Sequence, residues 1–412
     1  MRNCTIFKLS NGIRVVHQQI TTTNIVHCGI FLGIGSRDEN PANQGIAHFW
    51  EHMGFKGTKK RTSLDIIESL DSIGGELNAF TDKEKVVFYA SVRDQYFERA
   101  VDVLTDITFQ STFPKNEIQK ERSVILEEMA MYFDSPDDSL QDELEAVIFR
   151  NHPMGMNILG NEETVRSFRK KDFVSFFADH ADNRNIVFSC IGNISLSEVE
   201  RMAKKYLERR PAFKSTLKRK KFSAYDRREK VIQRGVKQSR CAIGRDAYPL
   251  FNENRIPFYL MSNILGGPGM NSRLSLSVRE KYGLVYAIDA HYLSYSDTGM
   301  FAIYFGTEPK QVKKCMALIR KEMDKLADKR LRPYELASAK EQIKGQLALS
   351  EENNLGLMIM MGRAVIDFGR VPQIEEVFDK IDQVTSLSLQ QVANEMFDEE
   401  KLSYLLMEPT LK

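Results

Sequence analysis

His48-Phe49-Trp50-Glu51-His52 places two histidines four residues apart, with a glutamate three after the first and one before the second. On a helix the positions i, i+3 and i+4 share a face, so the three side chains converge on one point. Imidazole is a preferred zinc ligand, and a carboxylate beside a zinc-activated water is what metal-assisted peptide hydrolysis needs. The order H-x-x-E-H inverts the H-E-x-x-H zinc protease motif. The alternative is a helix with two ordinary histidines and a surface glutamate, and the rest of the chain weighs between them.

Immediately upstream, residues 24–35 are rich in Ile, Val, Phe and Gly, as a buried sheet strand is. Before them, 4–9 and 13–19 form a predicted hairpin through Ser10-Asn11-Gly12, whose Asn-Gly pair accepts positive φ. A polar loop, 36–43, leads into the motif helix over 44–54. Downstream, a helix over 63–73 starts at the N-cap candidates Thr62 or Ser63 and ends at Gly74-Gly75. Strands at 76–81 and 85–92 precede helices at 95–109 and 115–133, the latter just past Pro114. Helices near 139–149, 163–168 and 170–180, a strand at 185–191 and a helix at 196–207 close this half.

Residues 208–228 change character, with Arg209-Arg210-Pro211 and then five basic residues between Lys214 and Lys221. The run is short and lacks interleaved aromatics, so it reads as a solvated interdomain linker in preference to a nucleic-acid patch. The order of the first half then returns. Strands at 229–234 and 238–246 precede a helix at 254–265, a Gly-rich loop and a helix at 272–280. A hairpin, 286–294 and 299–306, is followed by helices at 308–328, 332–350, 355–368, 373–382 and 386–396. A last strand, 402–407, matches the one at 185–191. The expectation is an α+β protein of two homologous α/β-sandwich domains, each a mostly antiparallel sheet packed with helices, related by duplication. Their boundaries are 1–207 and 229–412, with 208–228 as linker.

Bulk properties agree with two domains: 412 residues exceed one compact core, and 42% hydrophobic with 28% charged is ordinary globular composition. A net charge of +2 gives no electrostatic reason to expect nucleic acid. Cys4, Cys28, Cys190, Cys241 and Cys315 are scattered and never paired as C-x-x-C, which argues against a disulfide framework or a cysteine zinc site and fits a reducing compartment. The N-terminus lacks the pattern of a signal peptide and no apolar stretch is long enough to span a bilayer, so a cytoplasmic, membrane-free protein is expected.

A catalytic zinc takes three protein ligands and keeps one position for water. The two histidines therefore call for a third ligand, a carboxylate from elsewhere. The helix at 115–133 offers Glu117, Glu121, Glu127 and Glu128, of which Glu121 and Glu128 are seven apart on one face; periodicity does not choose between Glu127 and Glu128. His17, His27, His152, His180 and His291 have no ligand spacing and are taken as structural. The helical methionines, such as Met358, Met360 and Met361, are taken as core filler. The loop Gly266–Gly269 lacks the G-K-[ST] ending and the dinucleotide spacing, so it is no phosphate cradle.

His48-Phe-Trp-Glu51-His52-Met-Gly-Phe-Lys-Gly-Thr resembles the motif of the pitrilysin/insulinase/mitochondrial processing peptidase family of zinc metallopeptidases. The similarity extends to Gly75-Glu-Leu-Asn78-Ala79-Phe-Thr81-Asp-Lys-Glu84, with Tyr89 following, and to Glu121-Arg-Ser-Val-Ile-Leu-Glu-Glu128-Met. In the second half, Gly266-Gly-Pro-Gly269-Met-Asn-Ser-Arg273-Leu and Arg279-Glu-Lys-Tyr-Gly-Leu-Val-Tyr286 look like its C-terminal signature. The resemblance spans essentially the whole chain and matches the family's short branch.

The resemblance implies a zinc endopeptidase acting on unfolded peptides or presequence-like segments, with one Zn2+ per chain held by His48, His52 and Glu128. It makes Glu51 the general base that takes the water's proton and Glu121 an acid supporting the site. Arg279 and Tyr286 would act from the second half on the bound peptide. Asn78, Ala79, Phe80 and Thr81 would belong to an edge strand to which an extended peptide adds. Trp50 departs from the family, which more often has an aliphatic residue there; lying off the ligand face, it should alter packing and not chemistry. Because both the zinc motif and the Arg279/Tyr286 pair are present, a homodimer is expected over a heterodimer with a related chain. The competing expectations are a non-catalytic or partner-dependent subunit, against which the intact ligand set counts, and a structural zinc module, which has no use for Glu51.

Overall fold

The computed structural model describes residues 4–215 and 218–410. In chain order the strands are β1 (Thr5–Lys8), β2 (Arg14–Gln19), β3 (Ile25–Leu32), β4 (Glu76–Thr81), β5 (Val86–Arg93), β6 (Ile186–Gly192), β7 (Glu229–Arg234), β8 (Ser239–Ala247), β9 (Ile288–Ser294), β10 (Gly299–Thr307) and β11 (Ser403–Pro409). The helices of the first half are α1 (Ile46–Gly54), α2 (Ser63–Asp71), α3 (Phe97–Phe109), α4 (Lys115–Asp134), α5 (Pro136–Ile148), α6 (Glu162–Ser167), α7 (Lys170–His180) and α8 (Leu196–Tyr206). Those of the second are α9 (Arg255–Gly266), α10 (Val312–Asp328), α11 (Pro333–Ser350), α12 (Asn354–Phe368), α13 (Ile374–Gln383) and α14 (Ser386–Met396). The fold is α+β. The predicted helix at 272–280 is a π-helical stretch over Ser275–Glu280, and the one predicted from 308 begins as a 3-10 turn, Pro309–Gln311, before α10.

Two sheets carry the architecture, with strand orders β1-β2-β6-β3-β5-β4 and β7-β11-β8-β10-β9. Once β1 is set aside, they are the same sheet twice. In the first, β2 runs parallel to β6 and every further pairing is antiparallel. In the second, β7 runs parallel to β11 and the rest is antiparallel. The central strands are buried on both faces, as Ile186–Gly192 is throughout, which is why they read as near-continuous apolar runs. The β1–β2 turn holds Gly12 at φ +99°, a conformation that glycine adopts without a Cβ clash.

The two compact units are not the two contiguous halves expected from the sequence. One comprises 1–130, 156–219 and 348–373; the other comprises 131–155, 220–347 and 374–412. In the first unit, α12 covers one face of the sheet, burying Leu357, Met358, Met361 and Val365 beside Val16, Phe31, Val187 and Ile191. Each such buried side chain is worth about 1.5–3 kcal/mol, enough to fix which sheet the helix covers. Contact is close: a Cβ on Gly362 would lie 2.5–2.6 Å from the Phe31 ring. The opposite face is covered by α1, α3, α7 and α8 around Ile30, Phe49, Phe88 and Phe173. In the second unit, α5 plays the part of α12, setting Leu140, Leu144 and Ile148 against Ala242, Met300, Ala302 and Leu405. The corresponding helices of the two repeats are thus exchanged.

The expected linker lacks regular structure over 211–228 among the described residues, with Thr216 and Leu217 lying outside them. It is not simply solvated, however. Phe213 packs into the first core, and Arg219 donates to Asp38 Oδ1 at 2.8 Å, Gly33 O at 3.0 Å and Glu84 O at 2.9 Å.

Candidate metal centre

The first unit positions the motif helix by an unusual entry. Gly45, just before α1, has φ +90°, and a Cβ there would lie 2.6 Å from Leu159 O and 2.7 Å from Gly160 Cα. The first turn is capped by a buried carboxyl group: Glu39 accepts from Gly45 N–H and from Ala47 N–H, both at 2.8 Å. These satisfy donors that a helix N-terminus leaves unpaired. From there Phe49, Trp50 and Met53 face the core while His48, Glu51 and His52 share the remaining face. Trp50 lies off that face, stacked on Phe177 at 5.4 Å and edge-on to Phe88 at 5.5 Å. The departure at this position is therefore a matter of core packing.

The third donor comes from α4. His48 Nε2 and His52 Nε2 lie 3.8 and 3.7 Å from Glu128 Oε2. Ligand atoms of His48, His52 and Glu128 fall within 4.8 Å of one another, and no other such group occurs among the described residues. A zinc ion at about 2.0–2.2 Å from each donor of a tetrahedral site needs the donors roughly 3.3–3.6 Å apart, so this set fits the ion. Glu127 is exposed, whereas Glu128 flanks the stripe of Ile118, Glu121 and Ile125 that α4 buries. That stripe is the signal that separates the two glutamates, and comparing Glu127 and Glu128 without it left the choice open.

Glu121 is buried at 4% exposure. It accepts from His52 Nδ1 at 2.8 Å and pairs with Lys56 Nζ at 2.7 Å. A carboxylate on the far nitrogen of a ligating imidazole fixes its tautomer and orientation, leaving Nε2 to bind. Lys56 escaped the sequence reading, although it lies one turn beyond His52 on the same helix end. The counterpart nitrogen, His48 Nδ1, is buried with no hydrogen-bond partner among the described residues.

The charges bear out the geometry. Burial, then the neighbouring His52 charge, pushes His48 down to about 3, so its imidazole is neutral and able to bind a metal. Burial pushes the Glu51 carboxyl up to about 6, with the Thr81 hydrogen bond and His52 pulling the other way. For His52, burial acts downward but is outweighed by the bond to Glu121 and the surrounding carboxylates, which raise it. Glu121 is held below its ordinary range: burial opposes this, but the hydrogen bonds from His52 and Lys56 win.

β4 is an edge strand of the first sheet, as the family resemblance implied. Its side chains alternate. Leu77 and Ala79 pack with the core on the α1 side, while Phe80 joins the cluster under α12. Asn78 turns its carbonyl to Ala79 N–H at 2.8 Å. Thr81 is a surprise: its hydroxyl donates to Glu51 Oε2 at 2.5 Å. Arg279 and Tyr286 belong to the second unit, where the guanidinium lies 5.8 Å from the Tyr286 ring and Tyr286 is 89% exposed.

The remaining histidines have structural partners. His17 bonds to Cys190 O and Ile194 O, His27 to Ser91 Oγ, His152 to Lys220 O and His180 to Phe176 O, and the His291 ring lies 6.1 Å from Tyr304.

Residues 14–162 match the family described as insulinase (peptidase family M16), and residues 167–343 match the one described as peptidase M16 inactive domain. A protein of Bacillus subtilis called an uncharacterised zinc protease is 35% identical over 396 residues, which cover 96% of each chain. The chain belongs to peptidase family M16. An uncharacterised zinc protease of Rickettsia bellii is 32% identical over 408 residues, covering 98% of this chain and 97% of its own. Two solved structures share the M16 fold. One is a protease from Helicobacter pylori, with a TM-score of 0.89, 20% identity and coverage of 99% of this chain and 100% of its own. The other, described as a peptidase M16 inactive domain from Pseudomonas fluorescens, has a TM-score of 0.92, 18% identity and coverage of 99% and 98%. Within this M16 chain the repeats differ: α9, the counterpart of α1, carries no histidine or acidic residue.

Proposed function

We propose that this M16 protein is a zinc-dependent endopeptidase acting on unfolded peptides or presequence-like segments. The observation that carries this reading is Glu51, a buried carboxyl on the same helix face as His48 and His52, where the latter two meet Glu128. A purely structural metal site has no use for such a group.

His48, His52 and Glu128 would hold one zinc ion, which when bound lowers the pKa of water towards neutrality and polarises the peptide carbonyl. Glu51 takes the proton from water as the water oxygen bonds to the carbonyl carbon. It then delivers that proton to the leaving nitrogen as the C–N bond breaks, so the products are a carboxyl and an amine. Glu121 and Lys56 keep the His52 ring aimed. The open edge of β4 offers backbone donors and acceptors that an extended peptide can pair with, which favours unfolded substrates. Arg279 and Tyr286 are assigned to the peptide and to the oxyanion of the tetrahedral intermediate. We further propose a homodimer, since this chain carries both signatures, and a cytoplasmic location, since all five cysteines are free. No helix among the described residues is long and apolar enough to cross a membrane.

The test is hydrolysis of a quenched unfolded peptide by wild type and Glu51→Gln, with bound zinc measured in both. Activity that vanishes in the variant while about one zinc per chain remains supports the reading. An inactive wild type with zinc bound would overturn the self-sufficient enzyme in favour of a partner-dependent subunit.

A further inference from the structure

Thr81 stands out because one residue joins two parts of the site that are otherwise assigned separately. It is the last residue of β4, the edge strand, and its hydroxyl donates to Glu51 Oε2 at 2.5 Å. Its backbone is held tightly on either side. Thr81 pairs with Val86 of β5. The turn that follows is closed by Asp82 N–H to Lys85 O at 2.8 Å, and Asp82 Oδ1 accepts from Glu84 N–H at 2.7 Å and Lys85 N–H at 2.6 Å. Ser36 N–H adds a bond to Asp82 O at 3.1 Å. A β-branched side chain on so fixed a backbone has little χ1 freedom, so its hydroxyl is a preset donor.

Glu51 has the opposite character. It is a long side chain, 7% exposed, with several rotamers to lose. A general base must keep its accepting oxygen within hydrogen-bond reach of the proton it removes, and displacement by about 1 Å can cost about a hundredfold in rate.

We propose that Thr81 is the positioning residue of the general base: its hydroxyl pins Glu51 Oε2, leaves Oε1 to take the proton, and ties the base to the strand along which the peptide is laid. One rigid turn then sets both the height of the substrate backbone and the place of the base. This rests on the endopeptidase reading above. Since the β4 backbone is untouched by a side-chain change, the role concerns turnover and not peptide affinity.

The experiment compares wild type, Glu51→Gln, Thr81→Val and Thr81→Ser for kcat and KM on an unfolded peptide, for zinc content, and for the Glu51 conformation in crystals of the zinc-loaded proteins. Thr81→Val keeps the shape and loses the donor; Thr81→Ser restores it. Thr81→Val should keep its zinc and its KM while kcat falls about 10- to 100-fold, with the Glu51 carboxylate displaced or spread over several conformers. Thr81→Ser should return both kcat and the Glu51 position to near wild type. The proposal is overturned if Thr81→Val has wild-type kcat, if Thr81→Ser is as slow as Thr81→Val, if KM rises at constant kcat, or if Glu51 does not move. Should wild type and Glu51→Gln be equally inactive, the endopeptidase reading fails, and the crystallographic comparison still decides whether Thr81 holds Glu51.

Discussion

Removing the carboxyl group that starts the motif helix should unseat the proposed metal centre without touching any of its ligands. Glu39 is fully buried and accepts two backbone N–H groups, one from Gly45 and one from Ala47. In Glu39→Ala both donors are left in the interior, each at a cost of about 1–3 kcal/mol, and the cap itself is lost. The expected destabilisation is about 3–5 kcal/mol, a large share of the roughly 5–15 kcal/mol that holds a folded domain. His48 is the third residue of α1, inside the turn that frays, so zinc affinity should fall with stability. Urea unfolding of the zinc-loaded and chelated protein reads both effects, with the m-value as a check that the folded state is unchanged. A Glu39→Ala variant within 0.5 kcal/mol of wild type, with unchanged zinc binding, would refute the reasoning. A pH series sharpens it. Burial pushes the Glu39 carboxyl up to about 8 from an ordinary 4.5, against the pull of the two N–H groups and Lys83. A folded pKa above the unfolded one means that the fold binds the proton more tightly; this contribution is full below about pH 4.5 and disappears as pH rises through about 8. Wild type should therefore lose stability relative to Glu39→Gln between those values, and a pH-independent difference would count against a neutral Glu39.

Further expectations concern neighbouring parts of the structure. Glu121→Ala strips His52 Nδ1 and Lys56 of their shared acceptor, and zinc affinity should drop about 10- to 100-fold in a competition assay with a chelating dye. Trp50→Leu leaves a gap against Phe88 and Phe177 and should cost about 2–3 kcal/mol in unfolding free energy, while peptidase activity per folded, zinc-loaded molecule stays near wild type. Gly362→Ala forces a methyl into the Phe31 ring and should destabilise by about 1–3 kcal/mol, with amide exchange accelerating first in α12; normal protection there would show that the helix seat is softer than its distances imply.

The exchange of α5 and α12 could not be read from the sequence. Their apolar residues have helical spacing, and that spacing is the same whichever sheet the helix lies against. Met358 and Met361 were correctly expected in a core, whereas Met360, expected there too, is exposed. Which core the helix joins depends on shape, since Gly362 lets α12 approach Phe31 and only the assembled sheet creates that contact. The contacts made by the linker were hidden for a related reason. Lys214 to Lys221 looks like a solvated charge run, yet Arg219 reaches Asp38 and two backbone carbonyls supplied by distant segments.

What the sequence by itself determined is whatever a single element's period controls. His48, Glu51 and His52 share a face because 3.6 residues make a turn, and Trp50 falls off that face for the same reason. The repeated order of strands and helices disclosed the duplicated sheets because burial on both faces writes long apolar runs. The family resemblance named Glu128 and Glu121, but only the tertiary structure shows Glu128 beside the two histidines, Glu121 and Lys56 behind His52, Glu39 at the helix start and Thr81 aimed at Glu51. Each of those contacts joins residues from separate elements or loops, or depends on a side-chain direction, and neither propensity nor periodicity encodes the packing that creates it.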